Sequence, residues 1–130
     1  MPEYLPLHLP DLAFTRQASG TILGGQLVAV SGSGTVAVAG AASLSVVGVA
    51  AFDVTVGQNV TVFCAGVQRP TASGAITAGD LLVSAANGQV STAAAVTTPT
   101  AGDVTTSRAI VGLALTTAIN GALVEVLMTR

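Results

Sequence analysis

Short runs of alternating apolar and polar residues, separated by turn residues, fill most of the chain. Residues 60–64 are typical, because Val60, Val62 and Cys64 fall on one face of an extended segment. Strands are predicted at 27–30, 35–38, 46–51, 60–64, 81–85, 109–114 and 123–127. No long segment has the 3.6-residue period of a helix. Many short strands between Gly- and Asn-containing turns predict a small all-β barrel or sandwich.

The pattern of the first half returns in the second half. Gly48-Val49-Ala50 matches Gly112-Leu113-Ala114 at an offset of 64 (112 − 48 = 64). Gly25-Gln26-Leu27-Val28 matches Gly79-Asp80-Leu81-Leu82 at an offset of 54 (79 − 25 = 54), so about ten residues are inserted between the two matches. The sequence therefore predicts two similar β-units, at about 20–66 and 74–130. The shared positions are apolar residues and turn glycines, which indicates a scaffold without shared chemistry.

Two segments lie outside the repeat. Residues 1–19 hold Pro2, Pro6 and Pro10 among leucines, and proline at this density favours an extended chain over a helix. We therefore expect an extended N-terminal arm over 1–19, followed by a single β domain over 20–130. The arm packs either along its own barrel or against a neighbouring subunit or partner. The insertion at 91–108 is rich in Ala and Thr and is predicted to be an exposed loop.

Composition limits the function classes. The chain is 51% hydrophobic but only 3% aromatic, so its core is built from small Ala and Val side chains. Such a core buries little area per side chain, and further burial between subunits or against a partner is expected. Only 8% of residues are charged, the net charge is −2, and all four basic residues are Arg. This balance argues against nucleic acid as a partner.

The sequence predicts neither export nor a membrane span. The start, Met1-Pro2-Glu3-Tyr4, lacks the basic and apolar regions of a signal peptide. Gly, Ser and Thr interrupt the uncharged stretch at 17–52, so it contains no apolar run of about 18 residues. The single Cys64 cannot form an internal disulfide. We expect the chain to be made and folded in a cytoplasm.

One motif resembles a dinucleotide-binding fingerprint. Residues 32–37 match G-x-G-x-x-A after a predicted strand, and Asp53 follows at about the distance of the ribose-binding acid. The residues after Gly34 alternate like a strand, whereas the fingerprint requires a helix at that point. We therefore predict a hairpin turn at this site.

The remaining reactive side chains do not form a predicted catalytic or metal site. His8 is the only histidine and lies in the arm, and Cys64 shares the apolar face of its strand, which predicts an inert buried thiol. Four carboxylates lie near predicted turns: Asp11, Asp53, Asp80 and Asp103. A biotinyl or lipoyl carrier domain needs a lysine, and the chain has none. We predict a protein that is not an enzyme and has no cofactor or metal.

Several short pieces keep a characteristic order along the chain. They are Pro2-Glu3-Tyr4-Leu5-Pro6-Leu7-His8, Gly24-Gly25-Gln26-Leu27-Val28, Val47-Gly48-Val49-Ala50, Gly66-Val67-Gln68-Arg69, Ala78-Gly79-Asp80-Leu81, Val111-Gly112-Leu113-Ala114 and Gly121-Ala122-Leu123-Val124-Glu125-Val126. In this order they resemble the tailed-phage capsid decoration proteins, also called cement or head-stabilising proteins. The resemblance implies a β-barrel-like fold, attachment to the outer face of the virion capsid, commonly as a homo-oligomeric trimer, and reinforcement of joints between capsomers. It implies the major capsid protein as a partner and carries no catalytic residue.

The arm is the candidate contact segment with the capsid or a neighbouring subunit, while the duplicated barrel is expected to form the oligomer. Its candidate contact residues are Pro2, Tyr4, Leu5, Pro6, Leu7, His8, Leu9, Leu12 and Phe14. The alternative is an oligomeric β-module that binds carbohydrate or a host surface, like an adhesin or fibre domain. The scarcity of aromatic side chains counts against that alternative.

Overall fold

Ten β-strands form the framework of the described chain, as the sequence predicts for an all-β protein. The computed structural model describes residues 13–95 and 98–129, apart from the side chains of residues 105 and 106. Strands β1 (Ala13–Ala18), β2 (Leu27–Gly32), β3 (Thr35–Val38), β4 (Val46–Ala50) and β5 (Asn59–Phe63) close a barrel in the order β1-β3-β2-β4-β5. Strands β6 (Val67–Gln68), β7 (Leu81–Ser84), β8 (Val90–Thr92), β9 (Ile110–Ala114) and β10 (Val126–Met128) form a second sheet in the order β6-β10-β9-β7-β8.

Both halves have the same strand order, and we call residues 13–63 the first unit and residues 67–128 the second unit. In the first unit β1 pairs in parallel with β3, and Ala18 lies opposite Val36. In the second unit the equivalent residues, Ala72 and Val90, form a single parallel bridge (72 − 18 = 54 and 90 − 36 = 54). The second sheet therefore has the same arrangement, but a single bridge from Ala72, which follows β6, to Val90 of β8 takes the place of the β1–β3 pairing.

The backbone details of the repeat also recur. The amide of Gly25 donates to the carbonyl of Ala50 at 2.8 Å, and the amide of Gly79 donates to the carbonyl of Ala114 at 2.8 Å. The β2–β4 register shifts after Val28, and the β7–β9 register shifts at the equivalent place, after Leu82. These irregularities bend the strands and help each sheet to curl into a barrel.

Glycine recurs where strand β4 or β9 lies close against its neighbour. A Cβ added at Gly48 would collide with the carbonyl oxygen of Phe63, and one added at Gly112 would collide with the carbonyl oxygen of Leu127. The two glycines shared by the repeated sequence motif are therefore explained by close backbone approach.

The core consists of two clusters. One fills the first barrel and includes Val28, Val36, Val60 and Val62. The other fills the second unit and continues onto the outer face of the first barrel, with the first-unit residues Leu27, Ala29, Ala39, Val46 and Val49. Burial between the two units of one chain thus adds apolar area to a core of small side chains.

The structure corrects the predicted C-terminal limit of the arm. Residues 13–18 form β1, which pairs with β5 from Ala13 opposite Phe63 to Gln17 opposite Asn59. They belong to the barrel because they follow the last proline of the arm and can join a sheet through their backbone amides. Residues 1–12 lie outside the described residues.

The insertion is more regular than the predicted exposed loop. It contains a helix, α1 (Ala101–Thr106), followed by a 3-10 turn at Ser107–Ala109. The amide of Thr100 donates to the Asp103 carboxylate at 2.8 Å, and the Asp103 amide donates to the Thr100 hydroxyl at 3.3 Å. This reciprocal pair is a capping box that stabilises the start of α1.

The predicted hairpin turn at residues 32–34 is confirmed. It joins β2 to β3, and Gly34 has a φ of 77° that suits glycine. The matching turn of the second unit is a 3-10 turn at Ala86–Gly88, in which Asn87 and Gly88 have positive φ.

Candidate docking surfaces

The structure places only one predicted contact residue of the arm. Phe14 lies in β1, where it is half-buried against the core of the first barrel. The guanidinium carbon of Arg16 lies 4.9 Å from the centre of its ring, within cation–π distance. Phe14 therefore packs on its own barrel. The other candidates lie outside the described residues: Pro2, Tyr4, Leu5, Pro6, Leu7, His8, Leu9 and Leu12.

The described carboxylates near turns have structural partners. Asp53 accepts the amide of Gly24 at 2.7 Å. Asp80 accepts the amide of Thr77 at 3.0 Å and the hydroxyl of Thr92 at 2.9 Å. Together with the capping role of Asp103, these bonds explain three of the four predicted turn carboxylates. Asp11 is outside the described residues.

Within residues 13–95 and 98–129, no group of three His, Cys, Asp or Glu side chains is placed to hold a metal ion. In that same part of the chain, no helix is long and apolar enough to cross a membrane. Cys64 follows β5 and is half-buried, so it is less enclosed than predicted.

The first of two candidate surfaces lies where the two units meet, and we call it the junction patch: Leu23, Phe52 and Leu123. Leu23 and Leu123 line one shallow pocket of about 270 Å³, together with Arg69. Phe52 is adjacent, because a Cβ added at Gly24 would lie 3.1 Å from its Cα. The exposed fractions of the three side chains are 52%, 47% and 61%. The patch offers apolar area with a single cation beside it.

The second surface is an apolar groove of about 780 Å³, lined mainly by the second unit with Ala41 and Ala42 of the first unit at its edge, which we call the β7 groove. Its apolar wall is formed by Leu81, Val83 and Ile110 together with Ala93 and Ala94. Asp103 of α1 and Ser107 of the following turn contribute polar groups from the insertion. The groove suits an apolar protein segment flanked by a few hydrogen-bonding groups.

Sequence analysis did not identify either surface. A signal for the β7 groove was present, because the run Leu81-Leu82-Val83 is apolar on both faces of a strand. Such a run indicates a strand that is covered on both sides. The junction patch has no comparable signal, since its residues come from three separate turns of the chain.

A solved structure shares the fold of this chain. The chain is similar to the solved structure of the head fiber gp8.5 N base in bacteriophage phi29, with 20% sequence identity and a TM-score of 0.69. The alignment covers 91% of this chain and 93% of that one. At this identity the likeness shows a shared fold. The comparison with curated proteins gives no match.

A family model described as phage cement protein matches residues 10–129. The match spans both units, the strand β1 that precedes the predicted repeat, and the insertion with α1. It agrees with the family to which the sequence pieces point. The chain therefore belongs to the phage cement protein family.

Proposed function

We propose that this chain binds the outer surface of a phage capsid and stabilises the expanded shell at joints between capsomers. The family match over residues 10–129 is the observation that carries the proposal. A protein that binds the assembled lattice and not its dissociated parts stabilises the lattice by mass action. Many copies on a symmetric shell also add avidity to a modest single contact. The partners are the major capsid protein and further copies of this chain, with a trimer as the expected oligomer.

The exposed apolar surface supports a protein partner. The junction patch and the β7 groove both present leucine or valine side chains to solvent, with Arg69 beside the patch and Asp80 and Asp103 beside the groove. Apolar area of this kind is stabilised when another protein covers it. The rigid double β-unit behind these surfaces suits a protein that holds neighbours at a fixed spacing.

Residues 1–12 are the proposed anchor, on the major capsid protein or on a neighbouring subunit. Around Tyr4 and His8 this segment contains three prolines and four leucines: Pro2, Pro6, Pro10, Leu5, Leu7, Leu9 and Leu12. Proline limits the conformations of an extended chain, so less entropy is lost when it docks. Twelve extended residues reach about 40 Å, which is enough to cross to a neighbouring subunit. Phe14 is excluded from the anchor because it packs on the first barrel.

Co-sedimentation with purified, expanded, undecorated shells tests the anchor. We expect the full chain to bind saturably, at a fixed ratio to the major capsid protein. Deletion of residues 2–12 should abolish binding and leave the β-sheet circular dichroism spectrum unchanged. A matched variant, Leu23→Ser in the junction patch, distinguishes the contribution of the anchor to shell binding from the contribution of that surface. Undiminished binding by the truncated chain would overturn the anchor, and failure of the full chain to bind would overturn capsid attachment.

A fibre-like module that binds carbohydrate or a host surface is the second candidate. The shared fold with the head fiber gp8.5 N base favours it. Aromatic faces suited to a sugar are scarce, because Phe52 is exposed while Phe14 and Phe63 are half-buried. Binding to a glycan panel that is lost in Phe52→Ala would support this role. Absence of glycan binding by a chain that binds shells would exclude it.

A further inference from the structure

The β7 groove occupies one face of the second unit. The equivalent face of the first unit is the one that contacts the second unit. Five groove positions repeat five positions of the first unit: Asp80, Leu81, Val83, Ala93 and Ile110 correspond to Gln26, Leu27, Ala29, Ala39 and Val46. The first four pairs have the offset of 54, and the last pair has the offset of 64 (81 − 27 = 54 and 110 − 46 = 64). The first-unit residues Leu27, Ala29, Ala39 and Val46 are buried in the core shared with the second unit. The same face is thus covered on one unit and open on the other.

The turn between β7 and β8 covers the face on the first unit. The Gly88 amide donates to the carbonyl of Ala39 at 3.0 Å, and the Gln26 side-chain amide donates to the carbonyl of Asn87 at 3.0 Å. A Cβ added at Gly88 would lie 2.8 Å from the Cβ of Gln26 and 2.9 Å from the carbonyl oxygen of Leu27. The absence of a side chain at Gly88 allows this close approach.

The equivalent turn of the first unit, between β2 and β3, faces solvent. Gly34 stands at the position of Gly88 (88 − 34 = 54), and no described atom lies within 4 Å of a Cβ added there. Val30 stands at the position of Ser84, and 53% of its surface is exposed. The molecule therefore carries one uncovered face on the second unit and one uncovered turn on the first.

We propose that the β2–β3 turn of a second copy of this chain occupies the β7 groove. Copies would then join head to tail by repeating the contact that already joins the two units within one chain. This inference rests on the homo-oligomer of the proposed function and assigns its interface. A contact between two different surfaces closes into a ring when its rotation permits and otherwise extends into a filament.

The side chains on the two surfaces suit this contact. Val30 of the incoming turn is apolar, as are Leu81, Val83 and Ile110 of the groove. Ser33 stands at the position of Asn87 (87 − 33 = 54), opposite Asp80 in the repeated arrangement. Its side-chain hydroxyl supplies a donor for the Asp80 carboxylate. In the contact within one chain, the Gln26 side-chain amide instead donates to the backbone carbonyl of Asn87.

Sedimentation velocity on mixtures of two variants tests the proposal without any capsid. Leu81→Asp damages the groove and leaves the turn intact, whereas Val30→Asp damages the turn and leaves the groove intact. We expect the natural chain to sediment faster than a 12.6 kDa monomer and each variant alone to sediment as a monomer. An equimolar mixture should contain a species of two chains, because one intact turn then meets one intact groove. Ile119→Asp is the control, since Ile119 is 76% exposed on the second unit outside the groove lining.

Three results would overturn the interface. If the Val30→Asp variant alone still self-associates, the turn is not part of the interface. If the mixture stays monomeric, the turn does not pair with the groove. Loss of self-association in the Ile119→Asp control would show a nonspecific effect of added charge. A monomeric natural chain would also remove the homo-oligomer from the proposed function, while the shell-binding assay separately tests capsid attachment. Circular dichroism of each variant confirms that the β-fold is retained.

Discussion

The two units share one strand order, yet their equivalent outer faces have opposite environments. Leu27 of the first unit is fully buried, whereas Leu81 at the matching position is 54% exposed. The second unit covers the first, and no third unit follows to cover the second within the described chain. In its place the insertion brings α1 to one side of the exposed face and leaves the β7 groove. A duplicated fold thus leaves a repeated contact surface uncovered at its end.

Among the variants that test the difference between the two faces, truncation of the matched leucines should produce the largest change in the free energy of unfolding. Leu27→Ala should lower the free energy of unfolding by about 2–5 kcal/mol, because it removes a fully buried side chain. Leu81→Ala should change it by no more than about 0.5 kcal/mol in the monomer, because the side chain is already half in solvent. Urea unfolding below the concentration of self-association measures both. Equal losses in the two variants would contradict the unequal burial.

Substitution of the glycine at the close strand approach should lower the free energy of unfolding by similar amounts in the two units. Gly48→Ala and Gly112→Ala each place a Cβ against a neighbouring carbonyl, so each should lower the free energy of unfolding by about 1–3 kcal/mol. Gly20→Ala is the control, because no described atom lies within 4 Å of a Cβ added there. Thermal unfolding measures the three variants. A loss in only one of the two strand glycines would show that the units differ in this contact.

Ser84 and Val30 stand at equivalent positions near the two turns, and their substitution tests the difference between the units there. The Ser84 hydroxyl accepts the Ser43 amide at 2.9 Å and donates to the Gly40 carbonyl at 2.8 Å, so it links the units. Ser84→Ala should cost about 1 kcal/mol of unfolding free energy, whereas Val30→Ala should have a smaller effect in the monomer. Urea unfolding gives both values. A neutral Ser84→Ala would argue against this link as a contributor to the contact between units.

The smallest effect on global stability is expected at the insertion, which only the second unit has. Thr100→Ala removes the hydroxyl that accepts the Asp103 amide, and loss of such a cap destabilises a helix by about 0.5–2 kcal/mol. Because α1 lies outside both barrels, hydrogen exchange should accelerate in residues 101–106 and stay unchanged in β4 and β9. Faster exchange in β9 would show that α1 supports the sheet.

Sequence patterns predicted the strands that alternate and the repeat that relates them. Strand β1 was assigned to the arm because the prolines before it dominate the local pattern, and β6 is too short for alternation to be visible. Helix α1 has six residues, fewer than two turns, so its period could not be recognised. The unequal burial of Leu27 and Leu81 was beyond sequence reasoning, because both are leucines at equivalent positions of equivalent strands and differ in their tertiary neighbours. The β7 groove depends on that same difference.

The proposed role of this protein is to stabilise an expanded phage shell. The measurement that tests this role is the temperature at which purified, expanded, undecorated shells break apart, with and without the full chain at saturating concentration. We expect a higher disruption temperature with the protein, and a return to the undecorated value when residues 2–12 are deleted. An unchanged disruption temperature for shells to which the full chain is bound would contradict it.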